Sequence, residues 1–243
     1  MLKSTVNTLR EHGYQAIREL DKVVLTEKFR GRVVLRSSGL DEAKFLQTAQ
    51  MCPVGALSVA GLDMGRCIFC KECSFRHPEN IIFTNDYHLA TSVREELIIL
   101  FDTPTKPYTI TQNPLFKNSL KLRQISAGGD GSNEMELNAA GNVNFDMARY
   151  GIEFTASPRH ADGVVITGPI TRNMARETQL VLDATPDPKL IILAGTDAIS
   201  GGLFADSPAI YRQFIDNNHI NLYIAGNPVH PLSFILGLKP PKL

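Results

Sequence analysis

Four cysteines constrain this chain more than any other feature, because all of them fall between residues 52 and 73. Cys67, Cys70 and Cys73 stand in strict C-x-x-C-x-x-C spacing in the stretch CIFCKEC, and Cys52 is followed directly by Pro53. Whatever these thiols hold, two separate turns must be brought together around it. An even number of cysteines also suits disulfides. The opening MLKSTVNTLREHGYQAIRELDK, however, is polar and charged and does not read as a secretory signal. Without that context, clustered cysteines are read as metal ligands.

Composition narrows the partners. The chain has 243 residues, 43% hydrophobic and 21% charged, enough for one large domain or two smaller ones. Its 25 basic and 25 acidic side chains cancel, so nothing points to nucleic acid or an anionic membrane surface. No apolar run approaches the roughly 18 to 20 residues that span a bilayer. A chain with no direct membrane span, soluble or peripheral and cytoplasmic, is expected.

The two halves differ in pattern. Residues 1–28 read as a charged helical extension carrying Leu9, Ala16, Ile17 and Leu20 near helical spacing, interrupted by Gly13. GRVVLR (31–36), GALSVAG and NIIFTN are short strand candidates. LDEAKFLQTAQM (40–51) reads as a helix with Asp41 and Glu42 in its first turn, and SVREELIILFDT (92–103) as another. After a proline-rich crossing the pattern changes near residue 104. GVVITG (163–168), KLIILAG (189–195) and INLYIAG (220–226) are apolar strand candidates, each ending at glycine, with helical segments NMARETQLVLDA and SPAIYRQFIDNN between them. Strands alternating with helices imply a parallel sheet covered on both faces, with binding groups at the carboxyl ends of its strands. The expected fold class is α/β: an N-terminal α+β domain (29–104) after the extension, then a doubly wound parallel-sheet, flavodoxin-like domain (105–243).

The cysteine segment resembles half of a two-cubane ferredoxin. In such proteins the Cys-Pro of one half-repeat ligates the cluster of the other half. Cys52-Pro53 is similar to the Cys-Pro of an earlier half-repeat, and closes one 4Fe–4S cubane with Cys67, Cys70 and Cys73. The same spacing counted back from Cys52 falls on Glu42, Phe45 and Thr48, and the later Cys-Pro position holds His77-Pro78. The second cluster of a ferredoxin-like domain would therefore have no thiolate at all. Thiolates are soft donors that suit iron–sulfur clusters. Zinc stays open as the competing reading, because four cysteines also make a tetrahedral site. His77 itself reads as a surface or loop histidine.

Four stretches beyond residue 120 resemble the small subunit of group 4 membrane-bound nickel-iron hydrogenases and formate hydrogenlyase, and the related 20 kDa subunit of NADH:quinone oxidoreductase. They are SAGGDGSNEMEL (126–137), DMARYGIEFTASPRHADGVVITGPITRNMA (146–175), LAGTDAISGGLF (193–204) and IAGNPVHPLSFILGL (224–238). The resemblance implies an iron–sulfur electron-transfer subunit, peripheral on the cytoplasmic face of the inner membrane. It implies a hydrogenase-like large subunit and membrane-arm subunits as partners, and a ferredoxin-type donor or acceptor. That family carries a proximal cubane, and its four cysteine positions correspond to Asp130, Asn133, Asp197 and Asn227 here. The resemblance thus predicts one cluster, on Cys52, Cys67, Cys70 and Cys73, and an emptied proximal site. That site is a metal-free pocket, or a place where two carboxylates and two amides hold a hard cation. A structural or redox-sensing assembly subunit is the alternative function.

SAGGDGS is glycine-rich but matches neither phosphate-binding signature. Arg149, Arg159 and Arg172 read equally as interface or solvated surface, and His160 as surface or polar network. No nucleophile and base are paired, so no catalytic residue is expected in what reads as a non-catalytic subunit.

Overall fold

The computed structural model describes residues 2–239. Helix α1 (Leu2–His12) is exposed from Lys3 to His12, its apolar Val6 and Leu9 included, and ends where Gly13 takes a left-handed φ of +62°. Ile17 and Leu20, by contrast, pack into the core of the C-terminal half.

The cysteine-bearing half is built from very short pieces. Strand β1 (Val33–Leu35) is followed by α2 (Glu42–Gln50), β2 (Leu57–Ser58), β3 (Gly61–Asp63), α3 (Glu72–Arg76), β4 (Ile81–Phe83), β5 (Ala90–Thr91) and β6 (Ile98–Leu100). Asp41 caps α2, its carboxylate accepting from the Lys44 amide at 3.1 Å, and the helix turns Phe45 and Thr48 inward. β1 and β4 pair antiparallel, Val34 opposite Ile82, while β2, β3 and β6 form a three-stranded antiparallel sheet. Sheets this small are marginal by themselves.

The helix expected over 92–103 does not form. Residues Arg94–Leu97 make a single 3-10 turn and Ile98–Leu100 become β6 against β3. The cause is tertiary. Glu96, a good helix former, instead accepts from the Thr91 hydroxyl at 2.6 Å and the Thr109 amide at 2.7 Å, which tears it out of a helical register.

The C-terminal half runs β7 (Leu120–Ser126), α4 (Ser132–Ala139), β8 (Ile152–Phe154), β9 (Gly163–Thr167), α5 (Arg172–Ala184), β10 (Leu190–Ala194), α6 (Thr196–Ser200), α7 (Gln213–Asn217), β11 (Leu222–Ile224) and α8 (Pro231–Leu238). Its sheet has the order β8-β7-β9-β10-β11-β5, parallel throughout except for β5 at one edge. This is a mixed α/β architecture with one large, mostly parallel sheet.

Strand alternation sorts the core onto two faces. Val164, Ile166, Ile191 and Leu193 pack towards α5 and α7 through Leu182 and Phe214. That apolar cluster continues into the cysteine-bearing half through Phe69, Phe45 and Ile81. Val165, Ile192, Leu222 and Ile224 pack on the other face with Leu137 of α4 and with α8, all eight residues of which are buried. Of the helical segment expected over 207–218, only α7 forms.

Candidate functional site

The four cysteines line one cavity of about 110 Å³. Cys52 follows the last turn of α2, Cys67 and Cys70 lie in the loop after β3, and Cys73 sits in α3. Phe69 (φ +55°) and Lys71 (φ +71°) take left-handed conformations that fold this loop back around its own sulfurs. The Ala56 amide donates to Cys52 Sγ and the Phe69 amide to Cys67 Sγ, each at 3.3 Å. The approach to Cys67 is clamped by Asp63. Its carboxylate accepts the Gly65 amide at 2.8 Å and a two-pronged Arg94 guanidinium at 2.7 and 3.0 Å. A Cβ at Gly65 would meet Arg94 Cζ at 2.8 Å, so a larger residue there would push this guanidinium from its seat on Asp63.

Burial pushes the Cys67 thiol up to about 12, and burial followed by the charges of Cys70 and Cys52 pushes Cys73 up to about 11. Such thiols stay protonated at neutral pH unless a cationic centre replaces the proton. One zinc ion would need sulfurs about 2.3 Å from a single point. Among the described residues no group of three or more His, Cys, Asp or Glu side chains is gathered as it would be around a single metal ion. A cubane instead takes each thiolate on its own iron. Four thiols spread around a shared cavity, two of them receiving backbone N–H bonds, fit that group.

Phe45, Thr48 and His77, at the positions where a second ferredoxin cubane would find ligands, meet one another. His77 Nε2 lies 3.0 Å from the Thr48 hydroxyl, which donates to the Lys44 carbonyl, so the imidazole is the donor. The Phe45 ring packs edge-on against both His77 and Phe101. His77 thus lies in the loop after α3, one of the two places expected for it, but is buried and paired there and not on the surface. Glu42 stays exposed on the first turn of α2.

Asp130, Asn133, Asp197 and Asn227 all follow strands of the large sheet at their carboxyl ends, and the charge of Asp130 reaches Asp197. Asp130 closes a turn on itself, accepting the Ser132 amide and hydroxyl at 2.9 and 2.6 Å, which holds its carboxyl below the usual range. Asn133 is buried and accepts the Val229 amide at 2.9 Å. It also presses on Gly195 (φ +98°), where a Cβ would come within 2.6 Å of its amide. Asn227 lines a cavity of about 280 Å³ with Phe69, Glu136 and His230. The crevice between β7 and β9, where chain direction across the sheet reverses, is filled from within: Glu134 accepts from the Ser126 and Thr167 hydroxyls at 2.6 Å each.

Asp197 is buried in the first turn of α6, and its pKa is raised by that burial first and by the charges of Asp130 and Glu134 second. An aspartate with a folded pKa above its unfolded one contributes stability while protonated. That contribution is complete below the unfolded value and is lost as pH rises through the folded value. Asp197→Asn is therefore expected to raise the melting temperature at neutral pH. The gain should vanish below the ordinary aspartate pKa of 3.8. Melts of both proteins from about pH 3 to about pH 8 check this; a pH-independent difference would contradict it.

Thr196 joins the two regions, and no sequence signal beyond its place at a strand end marks it. Its hydroxyl donates to the Cys67 carbonyl at 2.7 Å, with the Gly226 carbonyl at 3.2 Å. The cysteine loop is thus seated on the carboxyl end of the large sheet. Arg149 fastens the N-terminal extension, donating to Tyr14 Oη at 2.9 Å, whereas Arg159 and His160 are exposed. Arg172 donates its amide to the Ala209 carbonyl at 2.8 Å.

Residues 131–240 match the family model described as NADH ubiquinone oxidoreductase, 20 Kd subunit. An NADH-quinone oxidoreductase subunit of Clostridium beijerinckii is 40% identical over 105 residues, 43% of this chain and 62% of that protein. A probable membrane-bound hydrogenase subunit of Pyrococcus furiosus is 30% identical over 114 residues, 47% of this chain and 68% of that one. A solved membrane-bound sulfane sulfur reductase, an archaeal respiratory membrane complex, superposes with a TM-score of 0.46 at 29% identity, over 53% of this chain and 73% of its own. The chain spans 59 to 68% of the length of the first curated relatives it matches. The matched family segment begins after the last cysteine.

Proposed function

Because the chain belongs to the family of the 20 kDa subunit of NADH ubiquinone oxidoreductase, we propose that it is an electron-transfer subunit of a hydrogenase-like or respiratory-complex-like assembly, with one 4Fe–4S cluster on Cys52, Cys67, Cys70 and Cys73. In this reading residues 1–28 are an extension, 29–104 a ferredoxin-like unit, and 105–243 the family domain without its proximal cluster. The observation that carries the reading is the single cavity lined by all four cysteines. When bound, the cluster supplies storage and release of one electron at a time.

The chain's own residues do the rest. The Ala56 and Phe69 amides stabilise thiolate charge, and Asp63 with Arg94 fixes the turn that presents Cys67. Phe45, Thr48 and His77 plug the place of the second ferredoxin cluster, which supports one cluster over two. Thr196 anchors the loop to the family domain. Large-subunit and membrane-arm partners, and a peripheral position on the cytoplasmic face, complete the proposal. Among the described residues no helix is long and apolar enough to cross a membrane. The hydrogen bond that Asn133 makes within the former cluster turns favours a second reading, in which the family domain serves as a scaffold.

Anaerobic reconstitution followed by iron and sulfide analysis tests the reading. About four irons and four sulfides per chain are expected. About eight would refute the single cluster, and stoichiometric zinc without sulfide would replace it.

A further inference from the structure

The cavity of about 280 Å³ at the carboxyl end of β11 is lined by none of the four cysteines. Its polar walls come from three distant stretches of chain. Lys28 and Arg30 precede β1, Glu136 stands on α4, and Asn227 and His230 lie between β11 and α8. Phe69 of the cysteine loop forms part of the wall, and Arg30 fixes it there by donating to its carbonyl at 2.7 Å. Phe29 adds a second ring, edge-on to His230 with centroids 5.3 Å apart. The volume is near the lower end of the roughly 300 to 1,000 Å³ usual for small-molecule sites.

The polar groups here differ in kind and do not satisfy one another. His230 Nδ1 accepts the Leu232 amide at 3.2 Å, so the neutral ring carries its proton on Nε2 and offers a donor. Burial lowers the His230 pKa, which favours that neutral ring. Burial raises the Glu136 carboxyl, and no neighbouring charge offsets it. Among the described residues neither Lys28, Arg30 nor Glu136 forms an ion pair. Two cations, an acceptor, a neutral donor and two aromatic rings thus line one small cavity.

We propose that this cavity binds a purine nucleoside monophosphate, with guanine as the better-fitting base. A flat ring suits the aromatic walls. Guanine carries two adjacent N–H donors, which the Glu136 carboxylate accepts together, and beside them O6, which accepts from His230 Nε2 or the Asn227 amide. Lys28 and the remaining N–H groups of Arg30 take the phosphate. The site uses no cysteine, so it stands or falls apart from the cluster.

The test titrates the full, anaerobically reconstituted chain by calorimetry with guanosine monophosphate, adenosine monophosphate, guanosine and inorganic phosphate. Guanosine monophosphate is expected to bind about tenfold or more tighter than guanosine or phosphate alone. The adenine nucleotide should bind more weakly, because adenine sets an acceptor beside its donor. Glu136→Gln should weaken guanosine monophosphate and guanosine alike by about tenfold. Lys28→Glu should weaken the nucleotide by about the same factor and leave guanosine unchanged. Lys121→Glu, an exposed position on β7, should change neither. Melting curves show that each variant is folded, and bound nucleotide should slow hydrogen exchange around residues 28–30 and 227–230.

A loaded chain that binds none of the four compounds overturns the site and leaves the single-cluster reading standing. So does one whose Glu136→Gln and Lys28→Glu variants bind guanosine monophosphate like the parent. Phosphate bound as tightly as the nucleotide would make this an anion site and overturn the nucleotide inference. Equal affinity for the adenine nucleotide would overturn the assignment of Glu136 to the base edge. A chain without iron that binds as expected removes the cluster reading and keeps this one; without iron and without binding, both fall.

Discussion

Replacing Cys67 with alanine is expected to leave the anaerobically reconstituted chain with essentially no iron or acid-labile sulfide, against about four of each in the parent. Cys67 is the most enclosed of the four thiols, it receives the Phe69 amide, and its own amide and carbonyl are committed to Asp63 and Thr196. The loss should spread beyond the cluster. The local sheets consist of strands of two or three residues, and the four cysteines tie the end of α2, the loop after β3 and α3 together across one cavity. A metal centre in such a place contributes folding energy directly. Hydrogen exchange should therefore show residues 40–80 losing protection in Cys67→Ala while β9 and β10 keep theirs. Full iron retention would remove Cys67 from the ligand set. Iron loss with undiminished protection would show that the short elements hold themselves together.

Much of this arrangement is legible in sequence because its causes are local. GVVITG, KLIILAG and INLYIAG are apolar runs of strand length ending in glycine, and they become β9, β10 and β11 with the ends trimmed. The Asp41-led helix is also local, set by a cap and an inward pair. The elements that sequence hides depend on distant partners. LKLRQIS does alternate, with Leu120 and Leu122 facing the core, yet its polar positions mask it until β8 and β9 flank it as β7. SVREELIILFDT has helical composition and becomes a turn and a strand, because Thr109 and β3 lie elsewhere in the chain.

The candidate site divides in the same way. Cysteine spacing nominates four residues that the fold brings to one cavity. Nothing in the sequence near Thr196 announces that it grips the Cys67 carbonyl from 129 residues away. Nor does His77 signal its burial, because that depends on Thr48 and Phe45 arriving from α2.

Asn133→Ala is expected to be among the most destabilising single changes outside the cysteine cavity. The Val229 amide that Asn133 accepts is fully buried, so truncation leaves a donor with no partner and no water. An orphaned buried donor costs about 1 to 3 kcal/mol. In a chain of this size each kcal/mol lowers the melting temperature by roughly 2 to 4 °C. The void beside Gly195 adds to the loss, because that glycine is packed directly against the missing amide. Asn133→Asp keeps the acceptor but buries a charge near Asp130 and Asp197. Its deficit should shrink as pH falls and the carboxyl protonates, whereas the alanine deficit should not. Both variants should keep the parent's iron content, whatever the reconstituted parent holds. If Asn133 were instead a cluster or cation ligand, metal would leave before stability did. A melting temperature unchanged in Asn133→Ala would show that Asn133 does not fasten α4 to the turn before α8.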